Sequence, residues 1–298
     1  MSDAAAEHAT DRKDRGNTLA AVLWMAGALT SFSAMAVGGR ELAAELNTFE
    51  IMAYRSAIGL PVIVAALFIT GSWGTVRTAQ PGAHAVRNVI HFAGQNFWFY
   101  GVATIPLAQL VAIEFSNPIW VALLAPLMLG ERLTRYGAAA ALLGFAGVLI
   151  VARPGVAPLE LGHAAALGAA IFFALTNILT KRLSRADTTL CILFWMTLSQ
   201  MLMGFLCALP GGVTLFSTAL APWMLFVGLC GLTAHYSLTR ALSLAPATLV
   251  APMEFLRLPV IAMAGALLYG EPLEVAVFLG AALIVVGNVL NIRAERAK

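Results

Sequence analysis

The segment Ile105-Pro106-Leu107-Ala108-Gln109-Leu110-Val111-Ala112-Ile113-Glu114-Phe115 recurs 140 residues later as Ala245-Pro246-Ala247-Thr248-Leu249-Val250-Ala251-Pro252-Met253-Glu254-Phe255. The same register runs on without a gap through Gly130-Glu131 and Gly270-Glu271, Leu133 and Leu273, Gly147 and Gly287, and Arg153 and Arg293. Nearer the N-terminus, Ala28-Leu29-Thr30 matches Ala174-Leu175-Thr176 at a spacing of 146, so an insertion or deletion separates the two registers. Both copies lie in strongly apolar sequence. A membrane protein built from two copies of one unit tends to put its working site where the copies meet.

Composition supports the membrane reading. The chain has 298 residues, 60% of them hydrophobic and 11% charged, with a mean hydropathy of +0.85. A soluble domain carries roughly 25% charged residues. The net charge of +3 is too small to point to nucleic acid, and the basic residues sit in short clusters between apolar runs. Cys191, Cys207 and Cys230 are odd in number, lie within apolar runs and show no metal spacing, so they read as small buried apolar residues. No lysine follows a glycine, which excludes a Walker A loop, and no zincin motif, nucleophile elbow or CxxC is present. These absences argue against an enzyme and call for no cofactor and no metal.

Ten runs have the length of roughly 20 residues that a spanning helix needs. They cover 18–37, 49–69, 85–105, 107–128, 136–152, 163–183, 189–209, 222–242, 247–269 and 273–292. Pro106 separates the third from the fourth, and its mate Pro246 the eighth from the ninth. The first run is too long for a signal peptide's apolar core of about 7–15 residues. The expected division is a tail over 1–17, five-helix repeats over 18–153 and 154–293, and a tail over 294–298.

With the N-terminus inside, Arg40 and Arg153 are the basic residues of the outer connections, and Arg55 and Arg257 fall inside spans. Every other lysine and arginine then falls in the cytoplasm, so both termini are expected there. Units of five spans must enter the membrane in opposite directions. The predicted fold is an all-α integral membrane protein with ten transmembrane helices as two inverted five-helix repeats.

Glu114 and Glu254 stand at membrane depth, where an ionised acid costs about 3 kcal/mol or more without a partner, water or a proton. Arg257, one turn after Glu254, is the expected partner, and Asn117 takes its place in the first copy. Such a pair either locks a kinked helix or lines a substrate cavity, and the glutamates make protons a candidate coupling partner. Pro118 and Pro126 in the fourth span, and Pro252 and Pro259 in the ninth, mark kinks or hinges. His91, Gln95 and Trp98 form a polar stripe at i, i+4 and i+7, and Gln95 matches His235, which Tyr236 follows. The first and sixth spans add Trp24, Ser31, Phe173 and Asn177, where Ser31 and Asn177 are mates. These groups either line a cavity or hydrogen-bond neighbouring helices. Arg55 either snorkels outward or pairs with a glutamate. Glycines in the fifth and tenth spans suit packing within a monomer, with a weak homodimer as the alternative.

Asn117-Pro118 followed by Leu129-Gly130-Glu131-Arg132-Leu133, with Tyr269-Gly270-Glu271-Pro272-Leu273 in the second copy, resembles the EamA-type branch of the drug/metabolite transporter superfamily. The resemblance spans about 18–293. It implies a secondary transporter of the bacterial inner membrane, working by alternating access on a small-molecule substrate. It also implies a central cavity between the first, third, fourth, sixth, eighth and ninth spans. Arg257 would meet a carboxylate, Glu114 or Glu254 an ammonium, and Trp98, Phe173 or Tyr236 an apolar side chain. The resulting expectation is an exporter of amino acids, aromatic or apolar ones included. The alternatives are an importer of a metabolite such as S-adenosylmethionine or riboflavin, and a non-transporting membrane interaction subunit.

Overall fold

The computed structural model describes residues 3–129, 135–153, 158, 160–215, 217–244 and 253–296. Its helices are α1 (Asp3–Leu42), α2 (Thr48–Ile69), α3 (Pro81–Thr104), α4 (Leu107–Glu114), α5 (Asn117–Leu129), α6 (Arg135–Ala152), α7 (Leu161–Leu183), α8 (Thr189–Ala208), α9 (Ala221–Leu244), α10 (Arg257–Tyr269) and α11 (Val275–Arg296). No strand occurs among the described residues. Among the described residues, four segments are long and apolar enough to cross a membrane by themselves: Leu19–Leu42, Thr48–Ile69, Leu161–Leu183 and Thr189–Gly211.

The helix pairing carries the repeat into space. α1 packs on α9, α3 on α7, α2 on α8, and α6 on α11. Exchanging each helix for its repeat mate turns the α1–α9 contact into the α7–α3 contact and leaves α2–α8 and α6–α11 unchanged. The mates within these last two pairs run antiparallel. Gly204, late in α8, packs on the backbone of Phe49 and Ala53, early in α2, while Gly59 faces Thr197. In the same way Gly147 faces Ile284, and Gly280 faces Val151. The glycines predicted to allow close approach thus pack α6 on α11 within one chain.

The fourth predicted span is two helices. α4 ends at Glu114, Phe115 and Ser116 turn, and α5 begins at Asn117. Pro118 explains the break, because it offers no N–H to the Glu114 carbonyl four residues back and its ring crowds that carbonyl. In the first turn of a new helix the missing N–H costs nothing. The Phe115 carbonyl left over at the turn accepts from Asn288 Nδ2 of α11 at 3.1 Å. The second copy breaks at the matching place, with a turn at Phe255-Leu256 and α10 starting at Arg257. Pro259 is the third residue of α10. Pro126 lies inside α5, and Pro252 and Pro246 lie outside the described residues. Phe115 and Phe255, repeat mates, meet edge to face at 5.0 Å, so the two breaks abut across the repeat interface.

Close helix approach makes a specific demand at Gly204. A Cβ there would lie 2.7 Å from Ala53 N and 2.8 Å from the Phe49 carbonyl oxygen, both backbone atoms that cannot rotate away. Gly204→Val should therefore lose about 1–3 kcal/mol. Gly211→Ala, with nothing within 4 Å, should stay within about 0.5 kcal/mol of the parent. Thermal unfolding in detergent micelles measures both, and equal stability of the two variants would contradict the packing.

Candidate functional site

The two helix breaks bring a charged pair together across the repeats. Arg257 Nη2 donates to Glu114 Oε1 at 2.7 Å, with side-chain exposures of 11% and 15%. Trp98 Nε1, one face of α3 away, donates to the other carboxylate oxygen at 2.9 Å. The Arg257 guanidinium lies 5.4 Å from the Phe32 ring centre and 5.5 Å from that of Phe115. The partner expected from sequence was Glu254. The structure gives Arg257 to Glu114 instead, and among the described residues Arg257 and Glu254 form no ion pair. The reason is the break: Glu254 and Arg257 stand on opposite sides of the turn and no longer share a helical face. Glu254 is solvent-accessible.

The other predicted residues also meet mostly across the repeat interface. Asn117 Nδ2 donates to the Ala170 carbonyl at 2.9 Å and its oxygen accepts from Asn177 Nδ2 at 3.2 Å. His91 is buried with its ring 5.9 Å from Phe173. Trp24 meets Tyr236 edge to face at 5.6 Å, and Phe32 meets His235 at 5.4 Å. Ser31 accepts from Thr233 Oγ1 at 3.1 Å. Pro118 and Pro259 are exposed beside the breaks rather than within the cluster.

Arg55 neither snorkels nor meets a glutamate among the described ion pairs. It is 7% exposed, donates to Gln95 Oε1 at 3.1 Å and faces the Phe99 ring at 5.5 Å. Beside it lies a cavity of about 20 Å³ between α2, α8 and α9, lined by Arg55, Ser56, Gln200, Gly231 and His235 among others. These include the second and seventh spans, which the resemblance did not place around a cavity. Gln200 was not singled out from the sequence, although Thr197 and Gln200 at i, i+3 in an apolar helix were a usable signal.

Ion pairs tie one end of the bundle. Gly270 ends α10 in the left-handed region at φ 64°, which only glycine adopts without strain. The turn swings Glu271 back so that it accepts from Leu107 N at 2.9 Å. Pro106 leaves α4 without a side-chain cap, so a residue of the second copy caps a helix of the first. Arg40 holds the same carboxylate and donates to the Val102 and Ile105 carbonyls. Arg153 pairs with Glu274 at 2.5 Å. At the opposite ends of α3 and α8, His84 meets Asp187 at 2.9 Å with Cys191 close by. Thr78 and the Val76 carbonyl also bond this group, so it staples the 76–84 connection to α8.

A two-repeat helical membrane protein with charged side chains at the junction of its repeats has the organisation of a transport protein. The chain belongs to the EamA-like transporter family, whose sequence profile matches residues 19–153 and 160–293. It is 26% identical over 275 residues to an S-adenosylmethionine uptake transporter of Rickettsia bellii, covering 92% of this chain and 93% of that one. It is 30% identical over 278 residues to a riboflavin transporter of Rhizobium johnstonii, covering 92% and 91%. A pseudopaline exporter of Pseudomonas aeruginosa is 28% identical over 271 residues, covering 89% and 93%. A solved crystal structure at 20% identity superimposes with a TM-score of 0.63 over 93% of this chain and 98% of that one, which supports the fold alone. The family and these relatives are transporters, not enzymes.

Removing one member of the charged pair leaves the other uncompensated. Glu114→Gln or Arg257→Gln should each destabilise the protein by roughly 3–5 kcal/mol. The double variant should recover part of that loss, with a coupling of about 1–3 kcal/mol between the sites. Additive losses in thermal unfolding would show that the two side chains do not act as a pair.

Proposed function

We propose that the chain is a secondary carrier of the bacterial inner membrane, with ten spans in two inverted five-helix repeats over 18–153 and 154–293. In this reading it takes up a metabolite that combines a heteroaromatic ring system with polar or charged groups, of the S-adenosylmethionine or riboflavin class, by alternating access. The observation that carries the reading is the Glu114–Arg257–Trp98 cluster at two abutting helix breaks. Broken helices at the repeat interface are where carriers hold solutes. A neutralised ion pair flanked by Phe32, Phe115 and Trp98 offers both charge and ring faces.

The antiparallel packing of α2 on α8 and of α6 on α11 supports the inversion. The distribution of lysine and arginine supports cytoplasmic termini. The names of the relatives favour uptake of S-adenosylmethionine or riboflavin over the amino-acid export expected from the sequence. The Arg40–Glu271 and Arg153–Glu274 pairs lie at the predicted outer face. They would hold that face shut here and part when the carrier opens outward. Trp24, Ser31, His91, Gln95, Asn117, Phe173, Asn177, His235, Tyr236 and Glu254 are proposed as further lining, and Pro118, Pro126, Pro252 and Pro259 as the points where the helices yield.

Proteoliposomes test the reading. Purified protein should carry labelled S-adenosylmethionine or riboflavin inward without ATP. Arg257→Ala and Glu114→Gln should each cut the flux by about tenfold or more, a change worth roughly 1.4 kcal/mol. Flux no faster than in empty liposomes would refute the carrier. Transport of aromatic amino acids alone would restore the export reading.

A further inference from the structure

Two buried arginines contrast sharply. Arg257 is neutralised by Glu114. Arg55 sits about 10 Å along α2 from its start, and its described polar partners are the Gln95 amide oxygen and the Met35 sulfur. A guanidinium has five N–H donors and no acceptor, and a buried cation without an anion costs several kcal/mol. Arg87 likewise bonds only Thr180 and Asn88 among the described residues. What sets Arg55 apart is the cavity at its side.

That cavity is short of acceptors. Gln200 Oε1 accepts from Ser56 Oγ at 3.5 Å, while Gln200 Nε2 is buried with no partner among the described residues. Gly231 keeps the wall low beside the guanidinium, since a Cβ there would come within 3.3 Å of Arg55 Nη2. The volume of about 20 Å³ exceeds the roughly 10–15 Å³ that one water needs and is on the scale of a carboxylate. His235 on the cavity wall packs against Phe32, and Phe32 lies under Arg257. The cavity is therefore one aromatic ring away from the charged pair.

We infer that Arg55, with Gln200 and Ser56, forms a subsite for a carboxylate of the transported solute. The inference rests on the carrier reading and narrows it. Of the two solute classes named above, S-adenosylmethionine carries an amino-acid carboxylate and riboflavin carries none. Glu114 and Arg257, already paired, would then meet the solute's other groups. The carboxylate assigned to Arg257 from the sequence belongs at Arg55, because Arg55 has donors to spare.

The test uses binding rather than transport. The purified full-length chain in detergent micelles is titrated with formate or acetate against gluconate, too bulky for the cavity, at constant ionic strength. Thermal unfolding is followed, with chloride as a separate arm. Formate and acetate should raise Tm by a few degrees in a saturable way. Arg55→Gln and Gln200→Leu should weaken that response at least tenfold. No saturable rise, a response to chloride alone, or an undiminished response in either variant would overturn the subsite. If Arg55→Gln does not fold, Gln200→Leu decides, with Arg55→Lys keeping the charge but losing the planar fork. A saturable, Arg55-dependent rise without S-adenosylmethionine uptake would leave the subsite standing and remove the proposed solute.

Discussion

The Glu114–Arg257 pair is the constraint around which the repeat interface is arranged. Neither residue is well placed by its own helix. Glu114 is the last residue of α4, at the negative end of the helix dipole, and Arg257 is the first of α10, at the positive end. Each helix disfavours its own terminal charge by some tenths of a kcal/mol. The two unfavourable placements become one favourable contact when the repeats dock. Trp98 takes the second carboxylate oxygen, and Phe32 and Phe115 flank the guanidinium. The pair is thus a property of the assembled interface, not of either copy.

The end of the bundle that holds Arg40 repeats this logic. Glu271 belongs to the second copy, yet its carboxylate caps α4 of the first. Gly270 is needed because the chain must reverse in a left-handed turn for that carboxylate to reach back. The Gly-Glu pair that marks the repeat in the sequence therefore has a physical use at this position: it fastens one copy to the start of the other's broken helix. The matching Glu131 lies outside the described residues, so the symmetric contact carries no part of this argument.

Much of this was legible in the sequence. Apolar run length located the helices, and for α2, α7 and α8 the predicted ends fall within two residues of those observed. The 140-residue register identified the helices that carry the charges. What periodicity could not supply was the break at Phe115-Ser116 and its mate at Phe255-Leu256. A hydropathy window averages over a two-residue turn, and proline inside a membrane helix is compatible with a kink or a full stop. That one ambiguity misassigned the ion pair. An i, i+3 spacing brings Glu254 and Arg257 together only if the helix continues between them. Cross-repeat contacts such as Asn117–Asn177 and Asn288–Phe115 were not legible for another reason. They depend on how two copies dock, and local pattern carries no information about that.

The asymmetry between the copies follows from the same docking. Asn117 and Arg257 are repeat mates, each the first residue after its break. Perfect symmetry would place a second arginine at 117 facing Glu254, giving two equivalent charged pairs. Instead Asn117 is absorbed by the Ala170 carbonyl and Asn177, contacts that leave no unpaired charge. The balancing cation appears elsewhere, on α2, as Arg55 beside an acceptor-poor cavity. In the proposed carrier, one internally neutralised pair and the Arg55 cation would distinguish the two ends of a solute. On that proposal, a symmetric scaffold would open to either side while the polar groups on it hold an asymmetric solute in a single orientation.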